Sequence, residues 1–388
     1  MSAIEIIAIA GLLVWLYLVL LHGGFWRTRE REEVHDFRDS PPNFDWPSIV
    51  AIIPARNEAD VLPRSLASLA AQNYPGEFSI VLVDDQSSDG TSDVAQRIAN
   101  EAGRKIIVVS GAALPSGWTG KVWAMHQGIA VASDQADAPQ YFLLTDADIG
   151  YEPDVLTSLV QRASGENRVL TSVMAKLNCE SFAEKALVPA FVFFFKMLYP
   201  FAWANRAIAR TAAAAGGCML VERLALERAG GIAAIRGALI DDCTLAKNMK
   251  VQGPIWLGMS ERVVSLRSYP KVADIRRMVA RSAYAQLHYS PLLLLGTVAG
   301  LSVIYLAPPA IFLAGSYPAW VLAGITYLLM AVSFQPTLRF YHRSPLWGLG
   351  LPLIAAAYLV FTLDSAYQHG AGRGGLWKGR VQAQAGKQ

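Results

Sequence analysis

The chain has 388 residues, of which 53% are hydrophobic and only 17% charged, with a formal net charge of +3. Charged residues make up about a quarter of an ordinary soluble domain, so this composition excludes a simple soluble globule. Nearly all the acids lie between about residue 27 and residue 287, and both ends are apolar.

Ile4 to Leu21 is uncharged apart from Glu5 and approaches the ~20 apolar residues of a bilayer crossing. No basic stretch precedes it and no small-residue cleavage site follows, so residues 1–26 are predicted to be a membrane anchor rather than a signal peptide. Arg27, Arg29 and Arg31 follow directly. The positive-inside rule then puts the N-terminus outside and residues 27–287 in the cytosol.

Ser48 to Ile53 is a β-branched apolar run of the kind that forms a buried parallel strand, and it ends in Pro54-Ala55-Arg56-Asn57-Glu58. Val61, Leu62, Leu66, Leu69 and Ala70 share a helical face, with Pro63 in the first turn and Tyr74-Pro75-Gly76 as the stop. Phe78 to Val83 repeats the strand pattern and runs into Asp84-Asp85-Gln86-Ser87-Ser88-Asp89-Gly90-Thr91 and a second helix. Ile106 to Val109 reads as a third strand, Gly120 to Ala132 as a helix, and Tyr141 to Leu144 as a fourth strand followed by Asp146-Ala147-Asp148. Strands alternating with helices predict a doubly wound α/β sheet. In such sheets ligands bind beyond the carboxyl ends of the strands, which is where the polar clusters fall. The first strand is not followed by G-x-G-x-x-G, which argues against a dinucleotide Rossmann site.

Further along, Phe191 to Trp203 is dense in aromatics and too short to span. It reads as a segment at headgroup level, near 182–205, with a buried core helix as the alternative. Ile275 to Leu287 carries Arg276, Arg277 and Arg281 beside Met278, Val279, Tyr284 and Leu287, and reads as a second interfacial segment near 272–287. About three spans are predicted within 288–365, at Ser290–Gly315, Tyr317–Phe334 and Leu346–Leu363, before a basic tail over 366–388 with Arg373, Lys378, Arg380 and Lys387. Three spans would put that tail outside, against the positive-inside rule. Cys179, Cys218 and Cys243 lack paired zinc spacing, and an odd count in the cytosol points to free thiols.

Alternating carboxylates at the exposed end of a buried strand suit one hard divalent cation, and Mg²⁺ is often held by one or two carboxylates plus substrate phosphates. Asp146 and Asp148 are therefore the candidate ligands for Mg²⁺ or Mn²⁺. Lys121 enters a helix from Gly117-Trp118-Thr119-Gly120, a setting that suits phosphate oxygens, with a plain surface lysine as the alternative. Gly216-Gly217 permits close approach of backbone to a ligand and is a candidate acceptor pocket, or a tight structural turn.

In order and spacing, Pro54-x-x-Asn57-Glu58, Val83-Asp84-Asp85-x-Ser87-x-Asp89-Gly90-Thr91, Asp146-x-Asp148 and Asp241-Asp242-x-x-Leu245 resemble the family 2 glycosyltransferases of the GT-A fold, over about residues 48–282. Gly117 to Ala124, Ala190 to Phe195, Ala212 to Leu220 and Arg236 to Cys243 look more particularly like the hopene-associated glycosyltransferases, membrane enzymes of hopanoid lipid biosynthesis. The resemblance implies a GT-A, Rossmann-like mixed sheet and an inverting transfer from a nucleotide sugar, with UDP as the expected carrier, to a hopanoid or similar lipid at the cytosolic face of a bacterial inner membrane. A polyprenyl-phosphate or ceramide-type transferase is the near alternative, and a silent nucleotide-sugar-binding scaffold the distant one. No nucleic-acid partner is expected.

By the same resemblance, Pro54, Asn57, Glu58, Asp84 and Asp85 line the donor site with Lys121 and Asp146, and Asp242 is the general base beside Asp241. Asp241 would raise the pKa of Asp242 by like-charge repulsion if the two side chains approach. Which of the two is the base stays open. Related membrane transferases carry Gln/Arg-x-x-Arg-Trp before their C-terminal spans, where this chain has Met278-Val279-Ala280-Arg281-Ser282. Arg281 is retained, as a diphosphate contact or an interfacial anchor. The missing tryptophan favours single transfer over polymer extension.

Overall fold

The computed structural model describes residues 1–32, 44–134, 137–377 and 380–381. Lys378 and Lys387 of the predicted basic tail lie outside the described residues. The chain divides into two compact units. One comprises Glu30–Asn178, Trp203–Ser268 and the chain from Leu376, and the other Met1–Arg29, Cys179–Ala202 and Tyr269–Gly375. This differs from a single unit over 27–287, because 179–202 and 269–287 cluster with the terminal apolar helices.

In the first unit, β1 (Ile49–Ala55), α1 (Leu62–Ala70), β2 (Phe78–Asp84), α2 (Thr91–Glu101), β3 (Ile106–Ser110), α3 (Gly120–Ser133) and β4 (Tyr141–Thr145) follow the predicted order. They are continued by β5 (Ile149–Tyr151), α4 (Val155–Gly165), β6 (Leu170–Lys176), β7 (Cys218–Glu222), α5 (Asp241–Gln252) and β8 (Ile255–Ser265). The eight strands lie in the order β3-β2-β1-β4-β7-β6-β8-β5. The first four run parallel, whereas β7 opposes both β4 and β6, and β5 opposes β8. The sheet is therefore mixed, as the resemblance implies.

Every residue of β1 is buried. Ile49, Ala51 and Ile53 belong to one core cluster with Leu66 and Leu69 of α1 and Leu159 of α4. Val50 and Ile52 belong to a second cluster with Val122 and Met125 of α3 and Leu245 and Met249 of α5. Successive side chains point to opposite faces of a strand, so a strand covered on both faces reads as the unbroken apolar run seen in the sequence.

The sequence reading ends the first strand at Ile53 and gives Pro54 to the donor pocket. The structure instead carries β1 through Pro54, buried and opposite Val83 of β2. The β1–β4 ladder stops at Ile52 opposite Leu144. The missing N–H of Pro54 thus falls where no strand needs it on that side.

Register brings the polar clusters to one edge. Ala55 stands opposite Asp84, Asp84 opposite Ser110, and Thr145 opposite Cys218. The segments after β1, β2 and β4 and the Gly216-Gly217 entry to β7 therefore leave the sheet together.

The second unit contains four helices long and apolar enough to cross a bilayer: Ala3–Leu20, Pro291–Ala314, Ala319–Phe340 and Pro345–Gly370. Trp15 is fully buried there, its indole N–H donating to the Ile304 carbonyl at 2.7 Å. The Phe191–Trp203 segment is helical to Leu198 and packs within this unit, except for Trp203, which belongs to the sheet unit. Helix Phe182–Leu198 starts at a Ser181/Glu184 capping box and buries Val192, Phe193 and Lys196. Phe193 packs 5.2 Å from both Phe25 and Phe334, and Lys196 Nζ donates to Thr337 Oγ1 at 3.1 Å. The 272–287 segment forms two short helices, Val272–Ala280 and Ala283–Gln286. Ile275, Val279 and Tyr284 are buried, while Arg276 pairs with Asp364 at 3.5 Å.

Candidate active site

At the end of β1 the chain turns through Asn57, whose φ is +51°, a conformation that asparagine tolerates better than most residues. The Asn57 N–H donates to Ser87 Oγ at 2.9 Å, and its side-chain Oδ1 accepts from the Ser88 N–H at 2.9 Å. Asp84 Oδ1 accepts from the Ser87 N–H at 3.1 Å. Asp89 accepts from the N–H groups of Thr91 and Ala59, so it ties the first residue of α2 to the β1 turn. Asp85 is completely buried with Arg56 3.7 Å away. The Pro54–Glu58 and Asp84–Thr91 motifs are thus one stitched wall.

The second wall forms around Lys121, in the first turn of α3. Its ammonium lies 2.8 Å from Asp146 Oδ1 and 3.1 Å from Asp241 Oδ2. The surface-lysine alternative fails, since only 16% of this side chain is exposed. Burial alone would lower the Lys121 pKa, but Asp146 and then Asp241 more than offset it and hold the ammonium charged. Asp241 Oδ2 is buried and, despite that proximity, makes no well-formed hydrogen bond.

Asp242 accepts from the Gly216 N–H at 3.0 Å and from the Cys243 N–H at 2.7 Å. Burial, then the neighbouring Asp241, push its carboxyl up to about 6. Both acids open α5, where the helix dipole favours negative charge. The glycine at 216 has a definite cause: a Cβ there would stand 3.1 Å from Lys121 Nζ and 3.4 Å from Asp242 Oδ2. At Gly217 a Cβ would meet Ile149 at 3.0 Å, so this second glycine serves packing between strands.

Arg267, absent from the sequence reading, joins the two walls. Just beyond β8, its Nε donates to Asp148 Oδ2 at 2.8 Å, and its terminal NH₂ reaches both oxygens of Glu58 at 2.7 and 2.8 Å. A lone arginine at the exit of a strand that contains Ser260-Glu261-Arg262 carries little signal by itself. The usable clue is charge: acids clustered at one sheet edge need cations from elsewhere in the chain.

The other predicted residues sort clearly. Asn57, Glu58, Asp84, Asp85, Lys121, Asp146, Asp148, Asp241, Asp242 and Gly216 share the sheet edge. Arg281 belongs to the helical unit, at the C-terminus of helix Val272–Ala280. Trp118 packs 5.0 Å from Trp123 and 4.9 Å from His126. All three cysteines are free thiols.

Among the described residues, no three His, Cys, Asp or Glu side chains form a ready-made cation cage. Asp146 keeps 37% of its side chain open to solvent, and Asp148 is oriented by Arg267. That donor set suits a hard cation held by one or two carboxylates and completed by diphosphate oxygens and water.

Residues 50–229 match the family model described as Glycosyl transferase family 2. An N-acetylglucosaminyltransferase of Mesorhizobium japonicum is 30% identical over 149 residues, 38% of this chain and 32% of that protein. A 4,4'-diaponeurosporenoate glycosyltransferase of Staphylococcus haemolyticus is 32% identical over 126 residues, 32% of this chain and 31% of that protein. The chain thus spans about a third of the length of these curated relatives. Among solved structures, the mannosyltransferase PcManGT from Pyrobaculum calidifontis, in complex with GDP-Man and Mn²⁺, is similar with a TM-score of 0.56 at 19% identity. The likeness covers 93% of this chain and 99% of that one and shows a shared fold, the mixed α/β sheet of GT-A type.

Proposed function

We propose that the chain is a membrane-bound, inverting glycosyltransferase that moves a sugar from a nucleotide-sugar donor, UDP-linked by preference, to a hopanoid or similar lipid at the cytosolic face. The observation that carries the reading is the single carboxylate edge around Lys121, with Asp146 on one side and Asp241 and Asp242 on the other. The family match over 50–229 supports glycosyl transfer. The relatives' names carry different donors or acceptors and support transfer without selecting either.

In this reading Asp84, Asp85 and Asn57 grip the nucleoside from the stitched wall. Asp146 and Asp148 would hold Mg²⁺ or Mn²⁺, which when bound would supply Lewis-acid neutralisation of the charge on the leaving diphosphate. Asp242 takes the proton of the acceptor hydroxyl, and a carboxyl raised to about 6 is better matched to that task than an ordinary aspartate. Two backbone N–H groups fix its plane. Arg267 orients Asp148 and Glu58 together. Four apolar helices, long enough to span, support delivery of the acceptor from a bilayer.

The test uses the full chain purified in detergent, supplied with Mn²⁺, a panel of UDP-, GDP- and dTDP-sugars and hopanoid extract, with products read by mass spectrometry. A lipid-linked sugar from one donor is expected. Donor turnover that ends on polyprenyl phosphate or ceramide instead would replace the acceptor class. No turnover with any donor and acceptor would overturn the transferase reading. In the source cells, a deletion strain should lack a glycosylated lipid.

A further inference from the structure

Lys121 raises a question that a phosphate-binding role does not answer. A lysine waiting for a diphosphate would be expected to reach into open space. Here its ammonium lies among Asp146, at 2.8 Å, Asp241, at 3.1 Å, and the backbone of Gly216, whose absent Cβ would lie 3.1 Å away. Asp146 is the outer carboxylate of the candidate cation pair, so its Oδ1 is already occupied by a charge of the chain itself. On the other side, Asp241 Oδ2 receives that charge without a well-formed hydrogen bond. The lysine is held by two carboxylates from different elements, α5 and the β4 exit.

We infer that Lys121 is an internal counter-cation that links the donor-side Asp146 to the acceptor-side Asp241 while the donor is absent, and that it leaves Asp146 when a cation–diphosphate pair arrives. The inference rests on the proposed transferase reading and adds an order of events to it. Lys121 keeps bare divalent cations off Asp146, because a cation arriving alone must evict an ammonium and offers it no new partner. A cation arriving with a diphosphate brings phosphate oxygens that can take up the ammonium. The exchange costs little then, because each charge keeps an opposite charge in contact. The α3 N-terminus, where Lys121 stands, offers N–H groups to the same oxygens.

The experiment is Mn²⁺ binding to the full-length chain at about pH 8, followed by electron paramagnetic resonance, with and without UDP. Wild type should bind Mn²⁺ weakly alone and much more tightly with UDP. Lys121→Met removes the ammonium at similar length and should tighten binding of Mn²⁺ alone by about tenfold or more, narrowing the gain from UDP. Lys121→Arg, which keeps the charge, should not tighten binding of Mn²⁺ alone. Lys121→Gln serves as a second neutral variant if the methionine protein does not fold. Unchanged or weaker binding of Mn²⁺ alone by the folded neutral variant, with wild type still binding Mn²⁺ and UDP together, would overturn the counter-cation role and leave the transferase reading standing. Failure of wild type to bind Mn²⁺ even with UDP would overturn the cation-dependent reading and this inference with it.

Discussion

At the scale of single residues, the roles of Asp242 and Arg267 separate by what each touches. Asp242 acts as a base only as a carboxylate, and burial and Asp241 raise its pKa to about 6. Activity should therefore be full at about pH 8 and fall away as pH drops through about 6, measured as kcat/KM against pH. Because the two acids interact, the limb belongs to the pair. Asp241→Asn removes the like charge and should move the acid limb to lower pH. Asp242→Asn should cut kcat by roughly 10²–10⁴-fold, the usual worth of a general base, while leaving UDP affinity nearly intact. Full residual activity would remove Asp242 from the mechanism. Arg267→Lys keeps the charge and loses the planar fork that serves Asp148 and Glu58 at once. Loss of a group that orients a metal ligand typically weakens metal binding by ~10–100-fold. The expected readout is a higher Mn²⁺ requirement in steady-state assays, with thermal stability close to wild type.

At the scale of elements, two glycines distinguish site geometry from core packing. Gly128 lies on the face of α3 that packs on the sheet, where a Cβ would stand 2.7 Å from Ile52 Cγ2 and 3.2 Å from Val83 Cγ2. Gly128→Ala overpacks this contact and should cost ~1–3 kcal/mol in chemical denaturation. Gly216→Ala meets the end of a flexible lysine first, so it should spare stability and depress activity by displacing Lys121. The same elements explain what the sequence discloses. The strands β1, β2 and β4 are central and covered on both faces, so their apolar runs are unbroken and their ends can be located to within a residue or two. Asp84, Asp146 and Asp148 follow directly from those ends. The half of the sheet built by β5 to β8 is mixed in direction, and β6 meets β8 through a register shift between Met174 and Lys176. No regular period marks such a strand, and Arg267 beyond it is therefore invisible until the chain is folded. The helix Phe182–Leu198 is ambiguous for a related reason: its aromatic density suits a headgroup layer and a packed helix equally, and its partners Phe25 and Phe334 are far away in the sequence.

At the scale of the whole molecule, the arrangement of the apolar helices and the charge rule together make a prediction about the tail. Arg27, Arg29 and Arg31 follow the first apolar helix and favour a cytosolic start for the sheet unit. If Pro291–Ala314, Ala319–Phe340 and Pro345–Gly370 then all cross, the turn carrying Arg339, His342 and Arg343 returns to the cytosol, in agreement with the rule. The segment after Gly370, with Arg373, ends outside, in disagreement with it. The contacts at the end of the last helix bear on the conflict. Its α-helical part, Leu351–Gly370, has 20 residues, about 30 Å at 1.5 Å per residue, which matches a hydrocarbon core of ~30 Å, so length alone does not choose. Asp364, close to the C-terminal end, pairs with Arg276 at 3.5 Å, and Ser365 Oγ accepts from the Tyr284 N–H at 3.0 Å. Both partners precede Pro291, where the first of the three helices begins, so the last helix ends on the side where the first one starts. Three crossings would put those two ends on opposite sides. The basic segment after Gly370 is therefore expected on the cytosolic side, as the charge rule has it, with one of the three helices not crossing. A C-terminal tag should thus resist protease added to intact spheroplasts and be removed only once the membrane is opened. Removal of that tag from intact spheroplasts would mean that all three helices cross.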